Sequence, residues 1–173
     1  MSGNYLLQGL AVFLLCGCTI PSSWVIGLSP NNPPAQIQSG DIPAFSKVES
    51  LQPKLQWESF SEHVQREPNE KIDKKKVGSV TYELKIWELK KGYPIRWSYA
   101  QRNVEPGELT YSRKALPQPW HIVEQPLEPS TNYLWTIRAR YQYNGTERLT
   151  EWGQQLVRPP HWFSYFGFQT PSK

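Results

Sequence analysis

Residue types that carry chemistry are sparse in this chain of 173 residues. A hydrolytic triad needs a serine, a histidine and a carboxylate held together. The three histidines, His63, His121 and His161, are far apart in sequence, with no nucleophile elbow, H-E-x-x-H or Gly-rich phosphate loop around them. Each reads as a surface or half-buried side chain. Aspartate occurs only at Asp41 and Asp73, and cysteine only at Cys16 and Cys18. A cysteine-rich zinc module, a disulfide framework and an aspartate-rich calcium site are therefore poorly supplied. Glu67 with Glu70 and Glu105 with Glu108 are paired carboxylates, but lysine and proline surround them, so they read as solvated loop charges. The expectation is no enzyme, no cofactor and no metal. Tryptophan is in surplus, with eight residues. Trp57 and Trp135 fall on inward strand positions and are expected in the core. Trp87, Trp97, Trp120 and Trp162 are the candidate binding surface, for a sugar or for a protein. The competing reading puts them under loops.

The elements that must position these side chains begin with an apolar run. Residues 5–20 carry no charge. The run is shorter than the roughly 20 residues of a membrane span and has the length of a signal-peptide apolar region. Residues 19–46 contain five prolines, five serines and one charge, Asp41, with no period of 2 or 3.6. They read as a linker. Trp24, Val25, Ile26 and Leu28 either rest in a lipid interface or pack on the domain. The chain thus divides into a targeting segment at 1–17, a tether at 18–46 and a domain at 47–173.

Within the domain, Lys54–Trp57 alternates, with Leu55 and Trp57 on one face. Val80–Glu88 places Val80, Tyr82, Leu84 and Ile86 on one face and Thr81, Glu83, Lys85 and Trp87 on the other. In Tyr133–Tyr141, Tyr133, Trp135, Ile137 and Ala139 face inward, and Leu134, Thr136, Arg138 and Arg140 outward. Asn144-Gly145 signals a two-residue hairpin, because both positions tolerate positive φ. The return strand begins near Thr146, and Phe163–Thr170 closes the chain after Pro159-Pro160, which should mark a bulge or edge. Weaker strands are Ile95–Tyr99, Leu109–Arg113 and Trp120–Val123. No amphipathic helix stands out. Short strands separated by turns predict an all-β sandwich of about seven strands. The net charge of +4 is spread along the chain, and Lys74-Lys75-Lys76 is offset by Glu67, Glu70 and Asp73. No nucleic-acid partner is expected.

Leu15-Cys16-Gly17-Cys18 resembles the bacterial lipobox, with a branched apolar residue three places before a cysteine and a small residue just before it. The resemblance implies lipid transfer to the Cys18 thiol, cleavage after Gly17 and acylation of the new amino group. It also implies, through Thr19 in place of aspartate, delivery to the outer membrane. The alternative is an uncleaved amino-terminal anchor helix. Leu127-Glu128-Pro129-Ser130-Thr131-Asn132-Tyr133, continuing into Trp135, Ile137 and Arg138, resembles the E–F corner and F strand of fibronectin type III domains. That family places a leucine, a proline and a tyrosine at this spacing, and the tyrosine hydroxyl bonds back to the corner. Trp57 stands where the family keeps its strand B tryptophan, and Tyr82-Leu84-Ile86 resembles its strand C. Departures are a charged insertion at 61–76 and a stretched region at 90–119. The chain is similar to bacterial lipoproteins carrying one such domain.

Counting back from the Asn144-Gly145 turn sets Trp152 beside Arg138 and Arg140. The arrangement resembles cytokine receptors, where a tryptophan stacks on strand F arginines, and it predicts a cation–π contact. The resemblances imply a membrane-anchored lipoprotein outside the cytoplasm. Its expected role is a non-catalytic module for an envelope or extracellular protein, or alternatively for peptidoglycan or another polysaccharide. If Cys18 carries the lipid, Cys18→Ser leaves an unprocessed precursor or releases the protein from the detergent phase on Triton X-114 partitioning. Unchanged maturation and partitioning would contradict the lipobox reading.

Overall fold

A computed structural model describes residues 25–37, 43–67, 72–92, 94, 96–98, 101, 104–158 and 162–173. Cys18, His161 and Pro159-Pro160 lie outside the described residues. The strands are β1 (Val25–Ile26), β2 (Pro30–Asn32), β3 (Gln36–Ile37), β4 (Pro43–Ala44), β5 (Ser46–Lys47) and β6 (Lys54–Trp57). A helix, α1 (Phe60–Arg66), precedes β7 (Val77–Glu88), β8 (Trp97–Ser98), β9 (Glu108–Leu116) and β10 (Trp120–Ile122). The chain continues with β11 (Asn132–Tyr143), β12 (Thr146–Leu149), β13 (Gln154–Arg158), β14 (Trp162–Ser164) and β15 (Phe166–Gln169). The protein is all-β in class.

The central sheet runs β5-β15-β11-β7-β9, with β12 joined to the far half of β11. The long antiparallel pair β7–β11 is its spine, with Leu84 opposite Ile137 and Ile86 opposite Trp135. Because side chains alternate along a strand, Tyr82, Leu84 and Ile86 share one face with Tyr133, Trp135, Ile137 and Ala139. These residues are buried in a single core cluster. A second sheet, ordered β10-β6-β2, covers that face and contributes Leu55 and Trp57. The Trp57 ring meets Tyr82 edge-on, with centroids 5.6 Å apart. The two sheets enclose the main core, as in a sandwich.

At the corner before β11, the Glu128 N–H donates to the Tyr133 hydroxyl oxygen at 2.9 Å. The Leu127 N–H reaches the Leu51 carbonyl at 2.8 Å. Thr170 Oγ1 donates to the Glu128 carbonyl at 2.7 Å, which ties the end of the chain to the same corner. Asn144 and Gly145 both adopt positive φ, 52° and 75°, in the β11–β12 turn. Asn144-Gly145-Thr146 thus acts as turn chemistry.

Four expectations need correction. First, the tether does not extend to residue 46. Val25 and Leu28 enter the main core, β1 pairs with β13, and β2 pairs with β6. Polar anchors make this arm integral. Arg66 donates to the Gly27 carbonyl at 2.6 Å, and the Ser29 N–H donates to Glu58 Oε1 at 2.7 Å. Gly27 has φ +69°, and a Cβ there would stand 2.7 Å from the Glu151 carbonyl oxygen. Only glycine fits so close a crossing at that φ. Second, the charged insertion begins with a helix. Ser59 and Glu62 form a reciprocal capping box, and Phe60, His63 and Val64 are its buried face.

Third, the closing strand is two strands in different sheets, broken at Tyr165, with β14 beside β13 and β8 and β15 beside β11. Fourth, the outward side chains Trp87 and Leu134 are not on the surface. A small sheet ordered β1-β13-β14-β8 supplies a second apolar cluster there: Trp87, Trp97, Leu134, Trp152, Phe163 and Tyr165.

The corner generates a test. Tyr133→Phe removes one buried hydrogen bond and should lower stability by about 1 kcal/mol. Tyr133→Ala also leaves a cavity and should cost about 3–5 kcal/mol. Equal, negligible losses on urea unfolding would contradict the role given to the hydroxyl and ring.

Candidate functional site

Of the tryptophans expected to form a binding surface, Trp87 and Trp97 are only 1% and 2% exposed. They cannot present a ring face to a ligand. The cause lies in the excursion between β12 and β15, which lays Phe163 and Tyr165 over the outer side of the central sheet. Trp87 stacks on Tyr165 with centroids 4.9 Å apart and planes 5° from parallel, and Trp97 meets Tyr165 edge-on at 4.6 Å. Their indole N–H groups are occupied as well. Trp87 donates to Glu105, and Trp97 donates to Gln154 Oε1 at 3.0 Å.

Trp152 continues this row. Its ring centre lies 4.2 Å from the Arg138 guanidinium and 5.2 Å from Lys85 Nζ. Lys85 in turn lies 5.5 Å from the Trp87 ring. The expected stack on strand β11 is therefore present, through Arg138, and Trp152 is buried. A cation over an indole face contributes about 0.5–2 kcal/mol, depending on desolvation.

Glu83 organises the other end of the row. It stands opposite Arg138 in the β7–β11 register, and its side chain is 2% exposed. Arg138 Nε donates to its Oε2 at 2.8 Å, and Arg140 Nε donates to its Oε1 at 3.0 Å. Arg140 also pairs with Glu147. Burial pushes the Glu83 carboxyl up, but the hydrogen bonds from Arg140 and Arg138 outweigh it and hold the group below the usual carboxylate range. A groove of about 510 Å³ borders this row, between Trp152 and Arg138 on one side and Leu109, Ser112 and Lys114 on the other.

The histidines separate into two structural settings. His63 Nδ1 lies 3.4 Å from Glu58 Oε1, in a buried cluster with Arg66 that holds the amino-terminal arm. Burial raises the Glu58 carboxyl, and hydrogen bonds from His63, Arg66 and Ser29 more than reverse it. Ser29 Oγ, although buried near this cluster, has no hydrogen-bond partner among the described residues. His121 Nε2 lies 2.5 Å from the Tyr111 hydroxyl, and burial lowers its pKa. Among the described residues no group of histidine, cysteine and carboxylate ligands is arranged to hold a metal ion, and no helix is long and apolar enough to cross a membrane.

The remaining candidates are exposed. Trp162 is on the rim of the covering sheet, with the Arg96 guanidinium 5.5 Å from its ring centre. Trp120 is 41% exposed, and Ile122, which the sequence reading did not single out, is 49% exposed. They are two residues apart on β10, so both side chains stand on the outer face of the β10-β6-β2 sheet. Lys54 Nζ lies 4.8 Å over the Trp120 ring.

Their main-chain groups are open too. Trp57 N–H donates to the Pro119 carbonyl and Val123 N–H to the Pro53 carbonyl, so residues 119, 121 and 123 bond inward to β6. Trp120 and Ile122 therefore point their N–H and C=O groups away from the sheet. Among the described residues, β6 is the only strand paired with β10. An apolar pair on an unpaired edge is a surface suited to another chain. Comparison with protein-family models, curated proteins and solved structures finds no match to this chain.

The Glu83 cluster gives a pH test. Glu83→Gln leaves two guanidinium groups without their buried counter-ion and should cost about 3 kcal/mol at pH 7. The depressed carboxyl contributes stability that is complete above the unfolded value, about 4.3, and is lost as pH falls through the folded value. The gap in urea midpoint between wild type and Glu83→Gln should therefore narrow on acidification below pH ~4. A gap unchanged down to pH ~2 would contradict the charged clamp.

Proposed function

We propose that this protein is a lipid-anchored bacterial envelope lipoprotein whose fibronectin type III-like domain is a non-catalytic protein-binding or scaffold module. Cys18 carries the lipid, the outer membrane holds it, and the domain stands outside the cytoplasm. The family reading is supported by the β10-β6-β2 sheet set against β9-β7-β11-β15, and by the tyrosine hydroxyl that receives the corner N–H. The amino-terminal arm supports it as well, because β2 supplies the edge strand beside β6.

The binding role rests on one observation, the exposed Trp120–Ile122 pair on the open edge of β10. Interfaces are enriched in such aromatic anchors, which gain most from being desolvated. The alternative of a sugar platform loses its ground with Trp87, Trp97 and Trp152, which are buried against neighbours. The two exposed rings left to it each lie beside a cation, Lys54 or Arg96.

A photo-crosslinking residue at position 122 in the native envelope should give a discrete adduct with a protein. The same residue at Leu149, exposed on the β12 hairpin strand, should not. Adducts that are absent at 122, or identical from 122 and 149, would contradict a binding role for this edge.

A further inference from the structure

Resting on the protein-binding reading of the same edge, we propose that β10 pairs with β10 of a second copy of this chain, antiparallel about a two-fold axis through His121. The first support is how the described sheet edges differ. Proteins blunt exposed edges with charge, proline, bulges or extreme shortness. Strand β9 carries Glu108, Arg113 and Lys114 and a register shift next to Ala115, which has φ 57°. Strand β2 begins at Pro30 and is followed at once by Pro33, and β5 is two residues with Lys47. Strand β10 reads Trp-His-Ile. At three residues it is no longer than β2, but it has no charge, no proline and no bulge; the other described edges without charge or proline, β1, β3 and β8, have two residues each.

The second support is self-complementarity. A two-fold axis through residue 121 sets residue 120 of one copy opposite residue 122 of the other, and the reverse. Those are the two residues whose N–H and C=O groups leave β10 on its open side. The pairing forms reciprocal main-chain bonds at both positions, and each Trp120 ring lands beside the other copy's Ile122. Aromatic and β-branched residues are favourable cross-strand partners. Both side chains, 41% and 49% exposed in one copy, gain a cross-strand apolar neighbour on their open flank.

Charge does not oppose it. The same register sets Gln118 against Glu124, and no like charges face one another. The His121 ring turns inward to Tyr111, away from the open edge, and burial lowers its pKa. The backbone bends at residues 117–119, so the extended pairing edge starts only at Trp120. The contact is therefore short and closed, as an isologous interface should be. It is a weak association that two-dimensional confinement on a membrane favours.

Cysteine pairs read the register directly. Directly opposed, hydrogen-bonded residues have Cα atoms about 5.5 Å apart, within disulfide reach. Residue 122 and its own symmetry mate are offset by two positions, about 8 Å, beyond it. Differently tagged full-length copies carrying Trp120→Cys and Ile122→Cys should therefore cross-link on mild oxidation in the native envelope. Ile122→Cys alone should not. Adding Ile122→Pro to the copy carrying Trp120→Cys removes only an outward N–H from β10 and should abolish the mixed product while the protein still accumulates. Absence of the mixed product, or equal yields from Ile122→Cys alone, would overturn the pairing. If photo-crosslinking at 122 then captures a different protein, the protein-binding role survives and the second copy is ruled out as its partner.

Discussion

One buried carboxylate constrains the outer face of the central sheet. Glu83 sits on β7 with almost no solvent contact and is neutralised by Arg138 and Arg140 from β11. A charge at that depth is tolerated only when paired and hydrogen-bonded. Holding it fixes the guanidinium of Arg138, and the fixed guanidinium supplies a platform for Trp152. Lys85 takes the other flank of the indole and reaches toward Trp87, which stacks on Tyr165. Charge and aromatic surface alternate along the row until the apolar cluster under the covering sheet takes over.

That row explains why the chain needs its amino-terminal arm. The segment carrying Trp152 and Gly153 passes so close to the arm that a Cβ on Gly153 would stand 2.7 Å from the Leu28 carbonyl oxygen. The arm is itself secured by Glu58 and Arg66 on and before α1. Helix, arm, Trp152 segment and central sheet therefore lock in sequence. Val25, Leu28 and strands β1 and β2, expected to be part of a tether, therefore belong to the domain.

Much of the sandwich was legible because strand alternation is a local signal. The inward residues of β7 and β11, the Asn144-Gly145 turn, the Tyr133 corner and the stack of Trp152 on Arg138 all follow from spacing within a few dozen residues. What escaped was decided at long range. Pro30-Asn31-Asn32 has no hydrophobic alternation, and it becomes β2 because β6 offers an unpaired side and Leu28 fits the core. Trp87 and Trp97 could not be assigned to the interior, since what covers them, around Phe163 and Tyr165, is far along the chain. Helix α1 is short, yet its Ser59–Glu62 capping box was a readable signal. So was Ile122, two residues after Trp120 on a strand already expected.

The proposed role places a partner at the open edge of β10 and not on the covered face of the central sheet. Hydroxyl-radical footprinting of the intact protein, quantified tryptophan by tryptophan, tests it most directly. The account predicts rapid oxidation at Trp120 and Trp162 and protection at Trp57, Trp87, Trp97, Trp135 and Trp152. In the native envelope, protection should appear at Trp120 while Trp162 stays reactive. Oxidation of Trp87, Trp97 and Trp152 as fast as Trp120, or a Trp120 equally reactive in the envelope and in the isolated protein, would contradict it.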